Sequence, residues 1–324
     1  MKLHENKNLY RQSIEYTSEM IHIPAIYIEK DYWVTYALYL VFNHNIGEDT
    51  IFKGGTALAK CYKMIERFSE DIDLVVIRKD GETDNKLKTK IKTISSIVSK
   101  VLPEIELKEV TRKMGMIRKT AHTYPKVFAG NYGQVRDSLI LESTWLGYYE
   151  PFTTKTVISF VGEMMLKTNQ EQIANNYGLM PFGVQVLKPE RTICEKIMSL
   201  VRFSYSDEAI DDLKKKIRHT YDLHQLLKQD EFLAFLNSPK FDVMLLKVAN
   251  DDLVSFRSNN QWLSNHPNEA CIFKDLDNIW KELSSAFNGD FSNLVYGDFP
   301  KDEDILSTLK IIKKRLFSVK WTIE

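Results

Sequence analysis

The spacing of apolar positions changes several times along the first half of the chain, and each change marks a different element. Between residues 25 and 44, Ile28, Tyr32, Trp33, Tyr36, Leu40 and Val41 recur at helical spacing, and Pro24 suits the first turn. A further helix is predicted over 8–20. Residues 50–53 form a short strand that stops at the Gly54-Gly55 turn. A helix over 56–64 follows, with Thr56 able to cap its first turn. Residues 71–77, Asp-Ile-Asp-Leu-Val-Val-Ile, are a β-branched strand opening on two acids.

After the turn at Asp80-Gly81-Glu82, a basic helix is predicted over 85–102. The texture then alternates: 105–110, 138–144 and 155–160 read as antiparallel strands. From Val161 onward the period is helical, over 162–175, 189–204, 207–229, 230–237, 271–286 and 302–316, while 251–270 is polar and irregular. Pro181 and Gly183 mark 161–187 as a linker region. The expectation is an α+β fold: a lobe with a mixed sheet and N-terminal helices over 1–161, then a helical C-terminal lobe over 162–324. No repeat or low-complexity tract is evident.

Composition narrows the class. In 324 residues, 44 basic and 44 acidic side chains cancel, which excludes a globally basic nucleic-acid binder but not a local basic face. Cys61, Cys194 and Cys271 are widely spaced and form no CxxC pair, which argues against a disulfide framework or a zinc ribbon. No apolar stretch is long enough to span a bilayer, and the polar N-terminus has no apolar core of a signal peptide. The expected setting is cytoplasmic, without a membrane.

The chemistry concentrates at the glycines and the acids. Side chains two apart in a strand share a face, so Asp71 and Asp73 aim two carboxylates in one direction. Two such charges favour a divalent cation, and Mg²⁺ takes carboxylates together with phosphate oxygens. Gly54 and Gly55 let a phosphate approach the backbone amides, and the helix beginning at Thr56 favours an anion. Ser69 suits either a phosphate or the turn, and Arg67 either a phosphate or Glu66 and Glu70. A third acid would complete a two-metal site: Glu142, embedded in Leu139-Ile140-Leu141-Glu142-Ser143, is the first choice and Asp137 the second. On the helical side, Lys196 lies beside the stripe Ile193, Ile197, Leu200. It suits a triphosphate as a point charge, or a local ion pair near Glu195. Arg218 and Asp222, four apart, suit a salt bridge.

These residues resemble a known family. Phe52-Lys53-Gly54-Gly55-Thr56-Ala57-Leu58, running to Arg67-Phe68-Ser69-Glu70-Asp71-Ile72-Asp73-Leu74, is similar to the AbiEii/AbiGii toxins, nucleotidyltransferase-like proteins of abortive-infection, type IV toxin–antitoxin systems. Ile28 to Val34, Glu190-Arg191-Thr192 to Glu195-Lys196, and Arg218-His219 to Tyr221-Asp222-Leu223 extend the resemblance, in order, from about residue 28 to 228. The resemblance implies a DNA-polymerase-β-like nucleotidyltransferase lobe followed by a helical lobe. It implies NTP binding, Mg²⁺ or Mn²⁺, and transfer of a nucleotide to an acceptor, the tRNA 3′ end in some relatives, with a cognate antitoxin as partner. Asp71, Asp73 and Glu142 would hold metal; Gly54, Gly55 and Thr56 would hold the triphosphate; Lys196 and Asp222 would be the essential lysine and C-lobe aspartate. Lys53, Arg67, Ser69 and Arg218 are the remaining candidate substrate-binding residues. Lys86, Lys88, Lys90, Lys92 and Lys100, Arg112, Lys113, Arg118 and Lys119, Lys214 to Lys216, and the basic residues of 310–315 offer surface to RNA. Two other readings stand beside this one: a small-molecule nucleotidyltransferase or phosphotransferase, and a catalytically silent antitoxin-binding module.

Overall fold

The computed structural model describes residues 1–69, 71–113, 115–130 and 135–323. Its strands are β1 (Thr50–Lys53), β2 (Asp71–Val76), β3 (Glu104–Ile105), β4 (Ile117–His122), β5 (Leu139–Thr144), β6 (Phe152–Val157) and β7 (Phe182–Leu187). The α-helices are α1 (Lys7–Ile21), α2 (Ala25–Phe42), α3 (Gly54–Ala57), α4 (Asp84–Ser99), α5 (Phe160–Lys167), α6 (Glu171–Asn176), α7 (Pro189–Phe203), α8 (Ala209–Lys215), α9 (Ile217–Leu227), α10 (Asp230–Leu236), α11 (Pro239–Ser255), α12 (Cys271–Lys274), α13 (Leu276–Ala286) and α14 (Asp302–Phe317). The fold is α+β with a mixed sheet, as the sequence implies.

The chain divides into two compact units. The first comprises Met1–Lys63, Phe68–Trp145 and Phe152–Leu187. Its seven-stranded sheet runs β3-β4-β5-β2-β1-β7-β6. β2 lies antiparallel to β1 and parallel to β5, and β7 is parallel to β1. Ile51, Phe52, Ile72, Leu74, Ile140 and Val186 bury the sheet's centre. α2 is buried around most of its circumference, which its apolar sequence allows. The three charges it carries inward are all satisfied. Glu29 accepts the backbone N–H groups of Val127 and Phe128 at 2.8 and 3.2 Å. Lys30 donates to the Arg136 carbonyl, and Asp31 pairs with Lys60 and accepts the Phe160 N–H at 2.8 Å.

The second unit comprises Met64–Arg67, Leu146–Pro151 and Lys188–Glu324. α7 packs on α9 and α11, and α9 packs on α14 and α10. Ile193, Ile197, Leu200, Leu223, Leu226 and Leu309 are fully buried in its core. Cys61, Cys194 and Cys271 are unpaired. No helix among the described residues is long and apolar enough to cross a membrane.

The structure differs from the sequence reading in several places. Residues 162–187 belong with the sheet rather than with the helical lobe, because β7 inserts between β1 and β6. Its inward residues Val184 and Val186 are buried, so the Pro181 and Gly183 signals mark a strand start, not a linker. Of the predicted strand 105–110 only Ile105 pairs, and β4 was not predicted. α11 covers residues assigned to no helix, and the helix expected over 207–229 breaks at Lys216.

Candidate active site

In the first unit the chemistry gathers where β1 ends and β2 begins. β1 stops at Lys53, and Gly54 turns the chain with φ +80°, a conformation that favours glycine. A side chain there has no room either: a Cβ on Gly54 would lie 2.3 Å from Asp73 Oδ2. The segment then continues helically through α3 and widens into a π-turn over Leu58–Tyr62. Thr56 lies inside this helix rather than at its cap. Its buried hydroxyl donates to the Asp71 carbonyl at 2.5 Å and lies 3.0 Å from the Ser69 hydroxyl. Thr56 and Ser69 thus tie the start of β2 to the glycine turn.

Register assembles the acids. Lys53 lies opposite Asp73 on β2, Asp73 opposite Glu142 on β5, and Glu142 opposite Lys119 on β4. Residues directly opposite across neighbouring strands share a face, so one row crosses four strands with charges in the order plus, minus, minus, plus. Asp71, two residues from Asp73, shares that face. Its Oδ1 is buried without a hydrogen-bond partner. The Asp73 carboxyl is pushed up to about 7 by burial, then by the neighbouring Glu142 and Asp71 carboxylates, against the pull of Lys53 and Lys119. Lys119 Nζ lies 3.0 Å from Glu142 Oε2. Burial alone would lower the Lys119 ammonium, but Glu142, Asp71 and Asp73 raise it. Among the described residues, no three His, Cys, Asp or Glu side chains already converge as a metal cage. Asp137, the alternative third acid, stands apart from the row, paired with Lys126 at 2.6 Å and mostly exposed.

In the second unit, Asp222 on α9 is fully buried between two cations. Arg67 grips it with Nε at 2.7 Å and Nη2 at 2.8 Å, and Lys196 on α7 donates at 2.7 Å. Burial would raise the Asp222 carboxyl, but Arg67 and Lys196 hold it well below the usual carboxylate range. His219 Nδ1 lies 3.4 Å from Lys196 Nζ, and burial followed by Lys196 pushes the imidazole well below its ordinary value. The segment carrying Arg67 is itself anchored in this unit. Arg67 bridges Val295, and the Glu66 carbonyl accepts the N–H groups of Tyr296 and Gly297 at 2.9 and 3.2 Å.

This arrangement alters the roles of several predicted residues. Arg67, expected to face phosphate or a neighbouring glutamate, is 3% exposed and grips Asp222 through Nε and Nη2. Glu70, its other expected partner, lies outside the described residues. The carboxylate of Asp222 goes to Arg67 and Lys196 rather than to Arg218, four residues away. Glu195 pairs with Arg191 at 3.0 Å instead of Lys196. Lys119 entered the sequence reading only as basic surface for RNA; β-register makes it part of the acidic site.

The family model for the nucleotidyl transferase AbiEii toxin of type IV toxin–antitoxin systems matches residues 37–302. The chain belongs to the AbiEii nucleotidyltransferase toxin family. The match includes the glycine turn, the acids, Lys196 and Asp222, and runs on past residue 228 through most of the second unit. Among solved structures the chain is similar to MenT4, a nucleotidyltransferase toxin from Mycobacterium tuberculosis H37Rv. The two share 14% identity over 92% of this chain and 98% of that one, with a TM-score of 0.45. No curated protein sequence matches.

Proposed function

We propose that this AbiEii-family protein transfers an NMP group from an NTP to a hydroxyl acceptor, the 3′ end of a tRNA being the acceptor class we favour. The observation that carries the reading is the buried, unpartnered Oδ1 of Asp71 beside Asp73, whose carboxyl is pushed up by its acidic neighbours. A site built this way is short of a cation, and its donors are all carboxylate oxygens, the set that Mg²⁺ or Mn²⁺ takes. Asp71 and Asp73, with Glu142, would hold it. When bound, the metal would neutralise phosphate charge and lower the pKa of an attacking hydroxyl.

The chain's own residues supply the rest. Gly54, having no side chain, lets the turn's backbone pack directly against the Asp73 carboxylate, which places the glycine amides beside the acids. Thr56 holds the Asp71 carbonyl and meets the Ser69 hydroxyl, which ties the backbone at the start of β2 to the glycine turn. In the second unit, Lys196 and Asp222 are the lysine and aspartate that the family resemblance marks as functional, and the buried Asp222 carboxylate acts as a positioning residue that holds Lys196 and Arg67. Catalysis of this kind is mainly placement and charge neutralisation. Family membership supports a toxin role with an antitoxin partner, and a polyanionic acceptor suits the basic segments.

The experiment is transfer from labelled NTPs to whole-cell RNA, with small acceptors in parallel. The wild-type protein with Mg²⁺ should label RNA, and a folded Asp71→Asn protein should not. Full activity in Asp71→Asn would refute the metal assignment, and labelling of small acceptors alone would refute the RNA acceptor.

A further inference from the structure

We propose that Lys119 is a resident counter-ion of the acidic site, holding Glu142 until a divalent metal displaces it. The inference rests on the reading of Asp71, Asp73 and Glu142 as metal ligands. Three observations lead to it. First, Lys119 reaches the site by register, one strand beyond Glu142, and touches Glu142 Oε2 at 3.0 Å. Second, two lysines, Lys53 and Lys119, stand at the ends of the cross-strand row that holds Asp73 and Glu142, with Asp71 beside it. Two cations against three carboxylates blunt the repulsion and still leave the set one positive charge short. Third, the Lys119 and Glu142 side chains are 30% and 32% exposed. Ion pairs that open to water are weak and readily exchanged, unlike the fully buried Asp222 pair.

The two occupants compete for Glu142 Oε2. An ammonium donating to a carboxylate oxygen takes the lone pair a metal would use, and a dication beside an ammonium is repelled. Metal binding through Glu142 Oε2 therefore requires Lys119 to swing out, and Lys119 sets how tightly the third carboxylate binds.

Mn²⁺ binding by the full chain, followed through the paramagnetic resonance signal of free Mn²⁺, tests this without reading activity. Lys119→Met should bind Mn²⁺ more tightly, by about tenfold for the loss of one nearby positive charge. Lys119→Arg keeps the charge and should stay near wild type. In a Glu142→Gln background the gain from Lys119→Met should vanish. Unchanged or weaker binding in Lys119→Met, with binding still lost in Asp71→Asn, would overturn the counter-ion role while leaving the metal site intact. Equal Mn²⁺ binding in wild type and Asp71→Asn, or none in either, would overturn the metal reading and this inference with it.

Discussion

Replacing Asp222 by Asn probes how the second unit is held together. The substitution keeps the side chain's shape and removes its charge. Arg67 and Lys196 would then remain at 3% and 5% exposure with no anion between them. Removing one partner of a buried ion pair costs about 3–5 kcal/mol, because the remaining charge stays out of water uncompensated. Three hydrogen bonds of 2.7 to 2.8 Å converge on this carboxylate, so the upper half of that range is expected. For a unit of this size the loss corresponds to roughly 8–20 °C in Tm. Exchanging all three residues for apolar ones (Asp222→Leu, Arg67→Met, Lys196→Met) should recover most of it, since the desolvation cost of the ions disappears together with their attraction.

The pH dependence gives an independent check. The folded-state carboxyl of Asp222 is held below its unfolded value by Arg67 and Lys196. Its contribution is therefore fully present above about pH 4, the unfolded value, and is lost as pH falls through the folded value. Urea unfolding of wild type and Asp222→Asn, with hydrogen exchange read on α9, should show a gap that is constant from pH 5 to 8 and narrows in acid. A gap below about 1 kcal/mol, or one that widens in acid, would refute the account.

Two further outcomes follow from the first unit. Gly54→Ala forces a Cβ into a left-handed turn and to 2.3 Å from Asp73 Oδ2. It should cost about 1–3 kcal/mol in urea unfolding and lower kcat/KM for transfer by at least about tenfold. Because the Asp73 carboxyl is pushed up to about 7, the folded protein binds more protons than the unfolded chain between about pH 4 and 7. The metal-free protein should lose stability as pH rises across that window, Asp73→Asn should flatten the profile, and Mn²⁺ affinity should climb to a plateau above pH 7. A metal-free stability curve that rises from pH 4 to 7 through the first-unit transition would contradict the assignment.

The parts of this site that are legible in sequence are those fixed by a residue's own element. Asp71 and Asp73 share a face because strands repeat every two residues, and the run Ile-Asp-Leu-Val-Val makes the strand plain. Gly54 is legible because a Gly-Gly pair ending a strand predicts an unusual backbone, here φ +80°. Partners are another matter. Arg67 and Asp222 are separated by 155 positions and Lys196 and Asp222 by 26, so no local rule links them. The local rule that does apply, pairing Arg218 with Asp222 one turn away, loses to the two buried cations. A helical i,i+4 pair in water is worth only about 0.2–0.5 kcal/mol, whereas leaving a buried guanidinium unpaired costs several times that.

Lys119 shows the same limit most sharply. Its strand reads Ile-Arg-Lys-Thr-Ala-His, with no apolar alternation to announce it. Even a correct strand assignment would leave the charge row undetermined, because the row depends on register. In the observed pairing Lys119 faces Glu142, and Arg118 faces Ser143. A slip of one residue would set Arg118 or Thr120 opposite Glu142 and turn Lys119 to the other face of the sheet. The observed register is selected by burial: Thr120, Ala121 and His122 lie inside the fold, with His122 Nδ1 2.9 Å from the Leu102 carbonyl. The core thus chooses the register, and the register delivers the counter-ion, so the electrostatics of the acidic site are set by packing on strands that carry none of its carboxylates but Glu142.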